Sequence, residues 1–318
     1  MDELRKKSDK RLAEIEKKVK QVYKEATDDI NEKWNAYMDR SKRAVAKEQE
    51  ALASARKSGD SEAIKAAEDA YKKALTNQTL RSKQYKDMVD ATTDRLAHAN
   101  QIALDYVNEQ MPDVYAYNYN GTAREVEREA KKNGIGGISF NMADESTVKK
   151  LIKEGDKSLL PKKLDVPADK KWNTKAINAQ ITQGIVQGES IDKISKRLQN
   201  VTDMDKKASV RNARSMMTNA ENAGRINSMK DAEEMGLEYE KVWMATHDER
   251  TRESHALLDG VSVPVDEKFP NGLMYAGDPS GDPSEYYNCR CSVVRKLVGF
   301  KGKHINTPSY EPTYFDDM

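Results

Sequence analysis

The chain has 318 residues, of which 34% are charged and 37% hydrophobic, and its mean hydropathy is −0.89. That balance is too poor in core material for one globule of this length and points to extended helices around a modest core. The 54 Lys and Arg against 53 Asp and Glu leave a formal charge of +1, which excludes polyanion binding through an overall field and leaves only local patches for it.

No apolar run approaches the roughly 18 residues of a membrane helix. The opening "MDELRKKSDKRLAEIEKK" lacks the apolar stretch of a signal peptide. A soluble protein made in a reducing cytoplasm is expected. Leu12, Ile15, Val19, Val22 and Ala26 recur at spacings of 3, 4, 3 and 4, the seam of a coiled coil. The spacing loosens through Ile30, Trp34 and Tyr37. Gly59 in "RKSGDSEA" breaks the pattern, and Ser58, Asp60 or Ser61 can cap a second helix. A second seam runs through Tyr85, Val89, Thr92, Leu96, Ala99, Ala103 and Tyr106. Residues 1–111 are therefore expected to form a long antiparallel helical hairpin, coiled-coil-like, ended by Pro112.

Residues 112–170 read as a connector, with one short helix in "NYNGTAREVEREAKKNGIGGISF" and a boundary at Pro161 and Pro167. Between residues 149 and 175 stand nine lysines and four acids. Residues 171–298 read as a domain of helices plus a small sheet. In it Ile177, Ile181, Ile185, Ile191, Ile194 and Leu198 keep helical spacing with an interruption at Gly188, and a further helix, "KKASVRNARSMMTNAENAGRINSMKDAEEMG", ends at Gly236. The stretches "EYEKVWMAT", "GVSVPV" and "CSVVRKL" have strand length and strand composition. Residues 299–318 read as an extended tail. The fold class expected is mainly α with a small α+β C-terminal domain.

The densest signature lies between Trp243 and Cys291. A D-x-R-T-R-x-x-H segment holds Asp248, Arg250, Thr251, Arg252 and His255; an L-D-G turn holds Leu258, Asp259 and Gly260; then come Asp266, Glu267 and Phe269, and finally N-C-R-C at Asn288, Cys289, Arg290 and Cys291. In this order the motifs resemble the C-terminal domain of Mu F-like phage minor head proteins, also called head morphogenesis proteins. The upstream helix "VRNARSMMTNAENAGRINSM" is similar to that family's A-R-T-x helix, with Ser215 where threonine is common. The resemblance covers roughly residues 171–298. It implies a portal-associated structural protein of a tailed-phage head that enters the procapsid, meets scaffold or major capsid protein, and influences DNA packaging or ejection. It places the chain in the host cytoplasm during assembly, away from membranes, and then in the capsid interior near the portal. Some Mu F-like proteins carry an effector such as an ADP-ribosyltransferase after this region; with about 20 residues after "VVRKL", none is expected here.

Read as chemistry, Asp248, Arg250, Arg252 and Asp259 can form a forked ion-pair network holding a sheet edge to a loop, or a solvated turn. No G-x-S-x-G, phosphate-binding glycine loop or H-E-x-x-H is present, so no enzyme and no cofactor for turnover is expected. Lys193, Lys196, Arg197, Lys206, Lys207, Arg211 and Arg214 can contact DNA phosphates without reading sequence, or form a solvated helix surface. An alternative function is accordingly a nucleic-acid-binding adaptor without a portal role. The two cysteines sit one residue apart, at roughly 6.6 Å between Cα atoms along a strand, where a disulfide is strained. Two thiolates on one face suit a structural zinc if a histidine joins them, His255 first and His247 second. The alternatives are packing as small apolar side chains and a redox role.

Overall fold

Runs rich in Lys, Glu, Ala and Gln favour helix, and seven helices precede the first strand in the computed structural model, which describes residues 3–154, 170–187, 189 and 191–305. They are α1 (Glu3–Ala44), α2 (Ala46–Ser58), α3 (Ser61–Gln78), α4 (Lys83–Lys132), α5 (Glu145–Glu154), α6 (Lys170–Val186) and α7 (Ile191–Glu234). Two compact units share them, with the divisions at Lys17/Lys18, Ala103/Leu104 and Ser209/Val210, inside α1, α4 and α7. Among the described residues no helix is long and apolar enough to cross a membrane.

The first unit is a helical bundle of residues from Lys18–Ala103 with α6 and the start of α7. Its α1 and α4 run antiparallel: Trp34 Nε1 donates to Thr92 Oγ1 at 2.8 Å, Arg95 to Asp29 at 3.2 Å, and Tyr23 OH to Asn100 at 3.3 Å. The expected hairpin is there, with its turn at Gly59 (φ 73°) and Asp60 accepting from the amides of Glu62 and Ala63. It comprises four helices rather than two, because α3 ends at Gln78 and α4 begins at Lys83. The α1 stripe also differs in register. It runs through buried Ile15, Val19, Tyr23, Ala26, Ile30, Trp34 and Tyr37, stepping 4, 4, 3, 4, 4, 3, whereas Leu12 and Val22 are only half-buried. That is an eleven-residue repeat of about 3.67 residues per turn, close to a straight helix. The α4 seam holds from Tyr85 through Ala103, then shifts from the half-buried Tyr106 to the buried Val107. Ile177, Ile181, Ile185, Ile194 and Leu198 join the bundle core as expected. Gly188 and the prolines Pro161 and Pro167 lie outside the described residues.

In the second unit α4 continues through Pro112 to Lys132, so the helix end expected at Pro112 is not there. Interior proline costs about 3 kcal/mol. Burial of Met111, Val114, Tyr115, Ala116 and Tyr119 around it offsets that cost. The helix ends instead at Gly134 (φ 72°), where the Ile135 amide bonds Ala130 O at 2.9 Å. The short helix expected in the connector is thus the end of α4. Across from it, a Cβ on Gly224 of α7 would lie 2.5 Å from Tyr115 O, so only glycine permits this approach. Gly236 (φ 92°) stops α7 as expected. The chain then builds β1 (Leu237–Met244), the short α8 (Glu253–Ala256), β2 (Ser262–Pro264), the short α9 (Pro283–Tyr286), β3 (Ser292–Phe300) and β4 (Lys303–His304). The sheet order is β2-β1-β3-β4, all antiparallel, with Trp243 opposite Val293 and Lys241 opposite Val263. Lys301 and Gly302, both at positive φ (48° and 74°), make the two-residue turn into β4. Residues 299–305 therefore extend the sheet rather than begin a tail; 306–318 lie outside the described residues.

Candidate functional site

At the end of β1 the chain turns through Thr246 and Asp248 because short polar side chains bond their own backbone there. Asp248 Oδ1 accepts the Arg250 amide at 3.0 Å, and Thr251 Oγ1 donates to Thr246 O. Thr246 Oγ1 in turn donates to Arg290 O at 2.7 Å. The fork expected among Asp248, Arg250, Arg252 and Asp259 forms with a different partner. Both Asp248 oxygens take bonds from the Arg290 guanidinium, one at 2.6 Å, while the Arg250 side chain is 74% exposed and only 3.4 Å away. Arg252 donates to Tyr287 O. Asp259 pairs with His247 Nε2 at 3.0 Å and accepts the Ala245 amide at 2.8 Å. These bonds carry the chain from β1 to the segment before β3. The bond from Arg290 holds the Asp248 carboxyl well below the usual carboxylate range.

Behind this layer lies a buried cluster. His255 on α8 is 1% exposed, Cys289 1% and Cys291 4%. His255 Nδ1 stands 3.6 Å from Cys289 Sγ and 3.4 Å from Cys291 Sγ, and its Nε2 is 3.1 Å from Glu285 Oε2. Trp243 walls the cluster edge-on, 5.1 Å from His255 by ring centroids, and Phe269 meets the Trp243 ring edge-on at the same distance. The hydrogen bond between the thiols, then His255, favours the thiolate at Cys291, while the same bond and burial push Cys289 up. Among the described residues, His255, Cys289 and Cys291 are the group whose ligand atoms all lie within 4.8 Å of one another. His247, the second histidine considered, faces Asp259 instead.

Helix α7 supports the cysteine segment from below. Asn288 takes a positive φ of 60°; its amide donates to Ser215 Oγ at 2.7 Å, and Arg214 bonds its side chain at 2.6 Å. Thr218 Oγ1 donates to Cys289 O at 2.9 Å. The fully buried Asn222 gives Nδ2 to Ala276 O at 2.8 Å and accepts the Val293 amide at 3.0 Å. Gly260 closes the L-D-G turn, bonding Trp243 O at 2.9 Å. Asp266 lies near Lys241, which donates to Val265 O at 2.8 Å and whose pKa burial lowers to about 8. Sequence reasoning missed Glu285 and Asn222. A buried asparagine inside a helix runs against propensity, so Asn222 carried a signal; Glu285, one acid among many, carried none.

The basic residues considered for DNA divide in two groups. Arg197 is bound to Glu189 and three glutamines, Arg214 to Glu16 and Asn288, and Lys206 to Asp203 at 2.7 Å. Lys193, Lys196, Lys207 and Arg211 are exposed, with Lys193 near Glu189 and Arg211 against the Tyr287 hydroxyl.

Residues 175–294 match the model of a family described as Phage Mu protein F like protein. Minor head protein GP7 of Bacillus phage SPP1 is 25% identical over 215 residues, 66% of this chain and 68% of that protein. An NAD(+)–arginine ADP-ribosyltransferase, EFV, of Enterococcus faecalis is 31% identical over 125 residues, 39% of this chain but only 26% of the enzyme. The chain thus spans about a quarter of the one relative and about two thirds of the other. No solved structure is significantly similar.

Proposed function

With residues 175–294 matching the model of the Phage Mu protein F like family, we propose that the chain is a minor structural protein of a tailed-phage head, acting in head morphogenesis. One observation carries the reading: the likeness to a minor head protein runs over 215 residues, well past the segment that holds the linked motifs. The bonds from Asp248, Arg252, Asp259 and Asn222 go to the protein's own backbone and side chains, which supports a site that holds the fold rather than one that turns over a substrate. The aligned quarter of the ADP-ribosyltransferase does not carry that enzyme's activity to this chain.

In finer terms, the chain docks on the portal protein through exposed helical surface, enters the procapsid with scaffold or major capsid protein, resides inside the capsid near the portal, and acts in DNA packaging or ejection. Exposed Lys193, Lys196, Lys207 and Arg211 supply sequence-independent phosphate contacts. Co-expression with the cognate portal protein, followed by size-exclusion chromatography with light scattering, tests the docking. A co-eluting complex is expected at physiological salt. DNA binding that falls steeply with salt, without any portal complex, would instead make the chain a nucleic-acid adaptor.

A further inference from the structure

We propose that His255, Cys289 and Cys291 bind one thiophilic divalent cation, zinc by their chemistry, and that Glu285 is the positioning residue that orients the imidazole toward it. The inference stands apart from the head function, since it rests only on the buried cluster. Tetrahedral zinc with Zn–S near 2.3 Å and Zn–N near 2.0 Å sets its nitrogen and sulfur ligands roughly 3.5 Å apart. The two Nδ1–Sγ distances here are 3.4 and 3.6 Å. The single lone pair of Nδ1 accepts one thiol proton at most, and both sulfurs stand at ligand spacing from it.

Glu285 fixes which nitrogen is available. Its carboxylate accepts from Nε2 at 3.1 Å, leaving the lone pair on Nδ1 facing the sulfurs, as carboxylates behind ligating histidines do. Ser254 Oγ and Asn271 Nδ2 also bond Glu285, at 3.1 and 3.3 Å, and so hold the carboxylate in place. The backbone amide of Cys291 points at Cys289 Sγ at 3.4 Å, a donor suited to an anionic sulfur. Binding displaces the protons that the two sulfurs and Nδ1 still carry and leaves two thiolates, a neutral imidazole and a dication, a set with no net charge in a buried place. Three protein ligands leave the fourth position to a solvent oxygen. The cation would tie α8 to the loop entering β3, 34 and 36 residues away in sequence.

The test uses the full chain, purified reduced and without chelator. One zinc per chain is expected by elemental analysis. After chelator stripping, added cobalt(II) should give sulfur-to-cobalt charge-transfer absorption and the intense visible bands of a four-coordinate ion. Glu285→Gln should keep the spectrum and weaken affinity about 10- to 100-fold. Absence of stoichiometric metal together with no charge-transfer band in the reduced unmutated chain would overturn the proposal. Cobalt bands unchanged in the Cys289→Ser plus Cys291→Ser chain would overturn it equally.

Discussion

Asp248 shows how much one side chain organises at the end of β1, since it both caps its own turn and takes the Arg290 fork. Arg290 keeps its carboxyl ionised in the fold below the usual range, so the unfolded chain binds more protons as pH falls through about 4. The stabilisation is complete above that value and fades toward acid. Asp248→Asn should therefore cost on the order of 1 kcal/mol at neutral pH, the side chain being a third exposed, with the gap from the parent narrowing by pH 3. Urea midpoints at the two pH values measure it. Asn222 acts at the same scale but without charge. Asn222→Leu keeps the branching and heavy-atom count and strands the Val293 amide and the Ala276 carbonyl, so a loss of about 1–3 kcal/mol for each buried group is expected in the same assay. A fall of under half a kcal/mol would show that the asparagine is not the strut described. Trp243, His255 and the cysteines were legible because several motifs occur in a fixed order. Their actual partners were not, because Arg290 is 42 residues from Asp248 and Glu285 is 30 from His255, separations that only the fold resolves.

At the scale of elements, periodicity showed helices and strands where they lie, and erred where packing outweighs local preference. Pro112 was read as a stop because it removes a helical donor; the buried residues flanking it carry α4 onward to Lys132. Leu12 and Val22 were read into a heptad seam, but Tyr23 took the buried place, since an eleven-residue stripe follows the helix more closely than a seven-residue one. The strand-length clusters held, and Lys301-Gly302 added a hairpin that no alternation announced. A close backbone approach between helices falls at Gly224. Gly224→Ala should destabilise the chain by about 1–3 kcal/mol despite the higher helix propensity of alanine, because the new methyl meets Tyr115 O at 2.5 Å. Thermal unfolding decides the sign: a gain in stability would mean that α4 and α7 can part at little cost.

At the scale of the molecule, the family segment of residues 175–294 is not the same as a folding unit. Ser8 reaches Asn118, which accepts from the buried Arg225, and Glu16 pairs with Arg214. Those partners lie outside the segment, and two of them belong to α1. Residues 171–298 expressed alone should therefore melt well below the full chain, or fail to fold cooperatively, by circular dichroism. The head role has a more direct test. Heads assembled from cognate portal, scaffold and major capsid proteins in the presence of this chain, purified on a gradient and quantified by mass spectrometry, should contain it at a fixed ratio to portal. Heads of normal composition that lack the chain, with all of it left in the soluble fraction, would contradict the account.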